Sequence, residues 1–263
     1  MKLNAKRIEK YSKHIKVNSF NCVDSTNSVA KELAANGCNE GVTIVAAEQT
    51  AGRGRLGRTF LSKKGGVYFS IVLKPQILAD DTLFITTAAA VAAARAIESV
   101  SSKKCEIKWV NDIYINNKKV CGILTEGEFN TNGALKYAIL GVGINLFEPK
   151  NSFPSNLPLA DSVFHKKDII VFKNRKKEQL IINFAENFFA FYNNLQKKEF
   201  ITEYQERSFL TGKKITYTKD GTTYNAEVIG INDDANLIVK SNEIIQKLSH
   251  GEIQIVGMEQ PKI

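Results

Sequence analysis

The sequence predicts an α+β fold with a small all-β unit at its C-terminal end. Three observations carry this. Strand-like β-branched runs alternate with helical stretches early in the chain, a meander of strands follows, and short, evenly spaced strands fill the end.

Taken in order, Asp24-Ser25-Thr26-Asn27 opens a helical stretch, SVAKELAAN, that Gly37 closes. Each of the four is a good N-cap, and one cap needs only one of them, so spare hydroxyls and amides are left to face a polar ligand. VTIVAAE (42–48) and GVYFSIVLK (66–74) read as strands, and the alanine-rich 80–99 with its acidic start reads as a helix. Residues 105–115, 118–128 and 134–146 read as a three-stranded meander joined by Asn116-Asn117 and by Asn130-Thr131-Asn132-Gly133. A proline-punctuated loop, 148–160, leads to helical patterns at 175–196 and 198–208. KITYT, TTYNAEVIGI, NLIVKS, IIQKL and GEIQIVG then read as strands separated by Lys219-Asp220-Gly221, Asn232-Asp233-Asp234 and Ser249-His250-Gly251, the texture of a small barrel. The expected domains are 1–211 and 212–263.

Composition narrows the class. A chain of 263 residues, 43% hydrophobic and 24% charged, suits a soluble protein with one substantial core and a small second domain. The longest apolar stretch, 86–97, carries Arg95 and reads as too short and too polar at its ends to span a bilayer. The N-terminal segment shows no apolar core or cleavage site, so a cytoplasmic location with no membrane role is expected. Cys22, Cys38, Cys105 and Cys121 are widely spaced and read as free thiols, Cys121 as a small buried hydrophobe. His14, His165 and His250 are equally dispersed, which supports neither a zinc site nor a Ser/His/Asp arrangement. A net charge of +9 invites nucleic acid, but it comes largely from scattered lysines and serves equally to steer an acidic protein partner.

The arginines are distributed differently. Three of the seven, Arg53, Arg55 and Arg58, share one seven-residue window with Gly52, Gly54 and Gly57. Glycine lets the backbone approach a ligand, and arginine offers a rigid cationic fork for phosphate or carboxylate. The spacing fits neither the dinucleotide fingerprint nor the Walker pattern, and a solvated basic loop is the plain alternative.

Five ordered blocks add specificity: DSTN (24–27), EQTAGRGRLGR (48–58), KWVND (108–112), KKVCGIL (118–124) and GVGIN (141–145). On these blocks, covering nearly the whole chain, the sequence resembles the bacterial biotin protein ligases. The resemblance implies a mixed sheet flanked by helices, like that of class II aminoacyl-tRNA synthetases, with an SH3-like C-terminal barrel. It implies activation of biotin by ATP to biotinyl-5'-AMP with release of pyrophosphate. Transfer to a lysine of a biotin carboxyl carrier protein or domain of acetyl-CoA carboxylase would follow. Magnesium is implied by the ATP chemistry, with no motif for its ligands.

By the same resemblance, Ser25, Thr26, Asn27 and Gln49 hydrogen-bond the ring head of biotin, and Gly52, Arg53, Gly54 and Arg55 line its other side. Gly122, Leu124, Gly141 and Gly143 form a close apolar wall. Arg53, Arg55, Arg58, Lys108, Asn111, Lys119 and Asn145 are expected to contact the nucleotide. Lys119 matches the family lysine that touches the reacting carboxylate and phosphate, leaving Lys118 exposed. Lys119, Arg55 and Asp112 are the expected catalytic set. Asp112 is read either as acceptor of the incoming lysine's proton or as a turn-capping residue.

Val110 stands where the family block has proline, a change in loop rigidity rather than chemistry. No tryptophan is present in 148–160 to cover the adenine, which leaves Phe153 or Leu157. Only about 20 residues precede DSTN, too few for the winged helix-turn-helix of some family members, so DNA binding is not expected. Strand edges near 118–146 are expected to dock the carrier or a second copy. The rival readings are a lipoate protein ligase, whose relatives lack the Arg-Gly-Arg loop, and a non-enzymatic nucleic-acid-binding protein.

Overall fold

The computed structural model describes residues 3–219 and 221–257. Asp220, in one of the turns expected from the sequence, lies outside them. Two sheets organise the chain. The first contains β1 (Lys16–Phe20), β2 (Val42–Ala46), β3 (Val67–Leu73), β4 (Glu106–Lys108), β5 (Asp112–Ile115), β6 (Lys118–Phe129) and β7 (Leu135–Ile144), in the order β1-β2-β3-β7-β6-β5-β4. Its β1–β2 pair is parallel and the other pairs antiparallel, so it is mixed as expected.

The helices cover this sheet. α1 (Ala5–Tyr11) and β1 are elements the sequence reading did not anticipate: one is short, and the other presents a mostly exposed, polar face. α2 (Thr26–Ala35) puts Ala30 and Ala34 against Ile44, Val72, Tyr137 and Ile139. It ends as the sequence predicts: Gly37, at φ 83°, lets its own N–H and that of Cys38 turn back to Ala34 and Leu33. The opposite face carries α3 (Thr82–Ser101), α4 (Lys173–Tyr192) and α5 (Ile201–Glu206).

With both faces covered, all seven residues of β3 are buried, which is why that strand reads as a continuous apolar run. α3 revises one expectation. It is a 20-residue helix with a window of mean hydropathy 1.5, long and apolar enough to cross a membrane, but 72% of that window is buried inside the protein. Alanine dominates because a helix buried among two others and a sheet needs small side chains for close approach.

The meander has four strands, not three. Residues 105–115 do not form one strand: Lys108 pairs with Asp112, making Trp109-Val110-Asn111 the loop of a β4–β5 hairpin. The Trp109–Val110 peptide is cis. The other two turns follow the sequence: Asn116 and Asn117 take φ 50° and 60°, and Gly133 takes φ 79°. β6 and β7 are interior strands rather than sheet edges, because β5 and β4 lie outside β6. β5 ends its pairing opposite Gly122, however, so β6 keeps one side open from Leu124 to Phe129.

The second sheet contains β8 (Lys214–Lys219), β9 (Thr222–Ile231), β10 (Leu237–Ser241), β11 (Ile244–Leu248) and β12 (Ile253–Ile255). It is antiparallel, in the order β11-β10-β9-β8-β12. The core is continuous from Ile8 to Ile255, and the Trp109 indole joins the two sheets by donating to the Ala235 carbonyl at 2.9 Å.

Candidate functional site

A cleft of about 130 Å3 opens where α2 begins, bounded by β6, β7, the β4–β5 turn, the glycine–arginine loop and the residues leading into β12. One wall is polar. Ser25 occupies the N-cap position of α2 with extended backbone, yet its side chain makes no capping bond, so the hydroxyl remains free for the cleft. Asn4, by contrast, caps α1 by accepting from the Arg7 amide.

Beyond Ser25, Thr26 donates from both its amide and its hydroxyl to Gln49 Oε1, at 2.7 and 3.0 Å. Gln49 Nε2 donates to Ser62 Oγ at 2.7 Å, fixing the amide's orientation. Asn27 is 5% exposed; its Oδ1 lies 2.6 Å from Ser70 Oγ, and its Nδ2 donates to Glu126 at 2.7 Å. A Cβ on Gly141 would sit 2.0 Å from Asn27 Oδ1, so this side chain depends on a glycine beneath it.

The glycine floor is covered in a way the sequence did not reveal. Phe60 lays its ring over β6 and β7, and a Cβ on Gly143 would stand 2.6 Å from Cε1, one on Gly122 3.0 Å from Cε2. Leu124, Ile123 and Val142 complete that wall.

The opposite end is cationic. Gly54 N–H donates to the Arg58 carbonyl at 2.7 Å, and Leu56 and Gly57 take φ 53° and 75°, folding the loop tightly enough to aim three arginines separately. Arg53 meets Glu126 at 2.7 Å; Arg55 donates to Asn111 Oδ1 at 3.2 Å and to the Gly251 carbonyl at 2.8 Å; Arg58 pairs with Glu252. Lys108 donates to the Ile253 carbonyl at 3.0 Å. Burial pushes both the Lys108 ammonium and the Arg55 guanidinium below their ordinary ranges, with the Asp112 charge opposing the shift in each.

Lys119 and Asp112 face one another from adjacent strands, Nζ to Oδ1 at 2.7 Å. At that distance the ammonium occupies this buried carboxylate oxygen, which becomes an acceptor for another group only when Lys119 turns away. Burial holds the Cys121 thiol, one strand position away, well above its usual pKa, consistent with a packing role.

The structure therefore brings nearly all the expected residues to one cleft: Ser25, Thr26, Asn27 and Gln49; Arg53, Gly54, Arg55 and Arg58; Lys108, Asn111, Asp112 and Lys119; Gly122, Leu124, Gly141 and Gly143. Lys118 is exposed, donating to the Pro158 carbonyl. Two of the expected residues lie outside the cleft lining. Gly52 does not line the cleft; it is buried where a Cβ would lie 2.4 Å from both the Phe60 carbonyl and Ser62 Oγ, so packing explains the glycine. Asn145 is also outside the lining, at 7% exposure, with its backbone bonded to Val120 and Val163.

Phe153 and Leu157 do not line the cleft either, whereas Trp109, Phe60, Glu252 and Ile253 do. The last two lie some 130 residues beyond Lys119, outside the blocks, and only tertiary structure brings them in. Among the described residues no three His, Cys, Asp or Glu side chains cluster to hold a metal ion. The cleft carboxylates, Asp112 and Glu252, face Lys119 and Arg58, so these residues do not form a magnesium cage.

Comparison with known proteins agrees with this geometry. Residues 19–145 match the model of the biotin/lipoate A/B protein ligase family. The bifunctional ligase/repressor BirA of Bacillus subtilis (strain 168) is 33% identical over 236 residues, 89% of this chain and 72% of that protein. A biotin–acetyl-CoA-carboxylase ligase of Paracoccus denitrificans is 38% identical over 125 residues, 47% of this chain and 51% of that protein. Among solved structures, the biotin protein ligase from Aquifex aeolicus in complex with biotin and ATP shares the fold at a TM-score of 0.72 and 24% identity, over 93% of this chain and 99% of that one. With this coverage and the five blocks assembled into one cleft, the chain belongs to the biotin/lipoate A/B protein ligase family.

Proposed function

We propose that the chain is an ATP-dependent biotin protein ligase. The observation that carries the reading is a single cleft, polar at Ser25–Asn27 and Gln49, glycine-floored at the centre, and cationic at Arg53, Arg55, Arg58, Lys108 and Lys119. A ureido ring offers donors and an acceptor suited to the first end. A carboxylate and a triphosphate suit the other. The likeness to a protein named as a biotin–acetyl-CoA-carboxylase ligase supports biotin over lipoate.

In the first step a biotin carboxylate oxygen bonds to the α-phosphorus of ATP, and the bond to the bridging oxygen breaks to release pyrophosphate. Repulsion between the two anions opposes it, and cations fixed beforehand at the point of contact lower that barrier. Lys119 leaves Asp112 for the reacting oxygens, and Arg55 and Arg58 hold phosphate. Magnesium, when bound with the nucleotide, would offset phosphate charge, and no residue of the chain is assigned as its ligand. Closure of the arginine loop keeps water from the acyl-adenylate.

In the second step a neutral lysine amine bonds to the acyl carbon, AMP departs, and the amine gives up a proton. Asp112, its buried oxygen released when Lys119 moves to the reacting oxygens, accepts it. The open side of β6 from Leu124 to Phe129, running out from the cleft wall, offers backbone groups to the carrier or to a second copy. Residues 212–263 are assigned to an SH3-like domain that contributes Glu252 and Ile253, and the enzyme works in the cytoplasm.

Incubation with biotin, ATP, magnesium and a recombinant biotin carboxyl carrier domain tests this. Intact mass spectrometry should show one biotin added to the carrier; a carrier of unchanged mass, with a folded enzyme, overturns the reading.

A further inference from the structure

The carboxylate of Glu126, on β6, is not among the cleft-lining residues, yet it is shared between the two elements that enclose the cleft. One oxygen meets Arg53 at 2.7 Å; the other accepts from Asn27 Nδ2 at 2.7 Å. We propose that Glu126 is a positioning residue that fixes the polarity of the Asn27 amide and ties the arginine loop to it, so that ring recognition and loop closure are set by one carboxylate.

The argument rests on what each neighbour can tell an amide. Asn27 has two polar neighbours, Ser70 Oγ and Glu126. The single Ser70 proton is contested between Thr26 Oγ1 and Asn27 Oδ1, at 2.7 and 2.6 Å, so Ser70 does not by itself fix the amide. An ionised carboxylate only accepts, so Glu126 alone requires the amide nitrogen to face it and sends the oxygen to Ser70. The amide's remaining N–H and lone pair then face the cleft in a defined sense, which a ligand carrying both donors and an acceptor needs. Gly141 gives the side chain room, since a Cβ there would occupy the place of Oδ1. The Arg53 contact adds the loop: its side chain is 47% exposed, and no other ion pair holds it among the described residues.

The proposal rests on the biotin-ligase reading for the identity of the ring, and the test separates the two. Glu126→Gln preserves size and shape but can itself flip and carries no charge. Biotin binding is measured by calorimetry, tryptic cleavage after Arg53 by mass spectrometry without ligand, and initial rates against ATP. In Glu126→Gln and Glu126→Ala the biotin Kd should rise about tenfold, as for loss of one charge-assisted hydrogen bond. Cleavage after Arg53 should accelerate in both, and the KM for ATP should rise several-fold in both, because the loop that carries Arg55 and Arg58 loses one of its ties. A residue that only fills space would leave Glu126→Gln unchanged in every readout, and that result overturns the proposal. Wild-type protein that binds no biotin sinks the ligase reading instead; unchanged cleavage after Arg53 would then overturn the Glu126 proposal too, and faster cleavage would support its loop contact.

Discussion

Lys119 Nζ stands 2.7 Å from Asp112 Oδ1 across the β5–β6 pair, and each side chain holds the other until a ligand arrives. Two different losses follow. Lys119→Ala removes a charge needed where the carboxylate meets the phosphate, and should lower the adenylation rate by about 10²–10³, the scale for one electrostatic stabiliser. Asp112→Asn should leave adenylation within about tenfold while slowing transfer to the carrier by about 10²-fold, the scale for a general base. Single-turnover assays, following adenylate formation and then carrier labelling, separate the two. Equal loss of both steps in Asp112→Asn contradicts its assignment as proton acceptor.

Phe60 and the glycine floor make a second prediction. Gly143→Ala places a methyl 2.6 Å from the Phe60 ring, so the ring must move or β7 must give. Overpacking of this kind costs about 1–3 kcal/mol. The same variant in a Phe60→Ala background should recover much of the lost stability, because the clashing atom is gone. Denaturant unfolding of the two single variants and the double variant measures this as a coupling.

Arg58 and Glu252 join the loop to the second sheet at the mouth of the cleft. Both are partly exposed, so the pair adds little to global stability. Its consequence is local: Glu252→Ala should speed tryptic cleavage after Arg58 and raise the KM for ATP several-fold without changing the melting temperature beyond a few degrees. A large fall in melting temperature would show that the pair supports the fold instead.

Arg207 bonds Glu98 at 2.8 and 2.9 Å and pairs with Glu203, fastening the end of α5 to α3. Burial raises the pKa of both carboxylates, but the bonds from Arg207 at Glu98, and from Arg95 and then Arg207 at Glu203, outweigh it, and both lie below the usual glutamate value. Below that value the unfolded state binds more protons, so the stability these groups contribute is present above the ordinary glutamate pKa of 4.5 and is lost as pH falls through their folded values. Arg207→Leu should flatten the acid side of the stability curve, as followed by urea unfolding between about pH 3 and 6.

Much of the site was written locally in the sequence. The DSTN residues, the glycine–arginine loop, KWVND and KKVCGIL each bring their chemistry on a short stretch, so spacing and residue type suffice. The remainder was not local. Glu126 reads as one more charge on a strand until Asn27 and Arg53 are seen on either side of it. Glu252 immediately precedes a strand of the other sheet, and Phe60 looks like ordinary core until its ring is found over two glycines. The break at Trp109–Asn111 escaped notice because its flanks are β-branched and apolar, and β1 because its face is polar. Asn145, expected in the cleft on the strength of a motif, lies outside its lining, with its backbone bonded to Val120 and Val163.

The most direct test of the adenylating cleft is ATP–pyrophosphate exchange with the purified chain and magnesium, comparing biotin, lipoate and no added acid. Exchange with biotin alone, abolished in Lys119→Ala, is the predicted result. Exchange with lipoate alone would assign the cleft to the other substrate of the family, and no exchange with either acid in a folded sample would contradict the account.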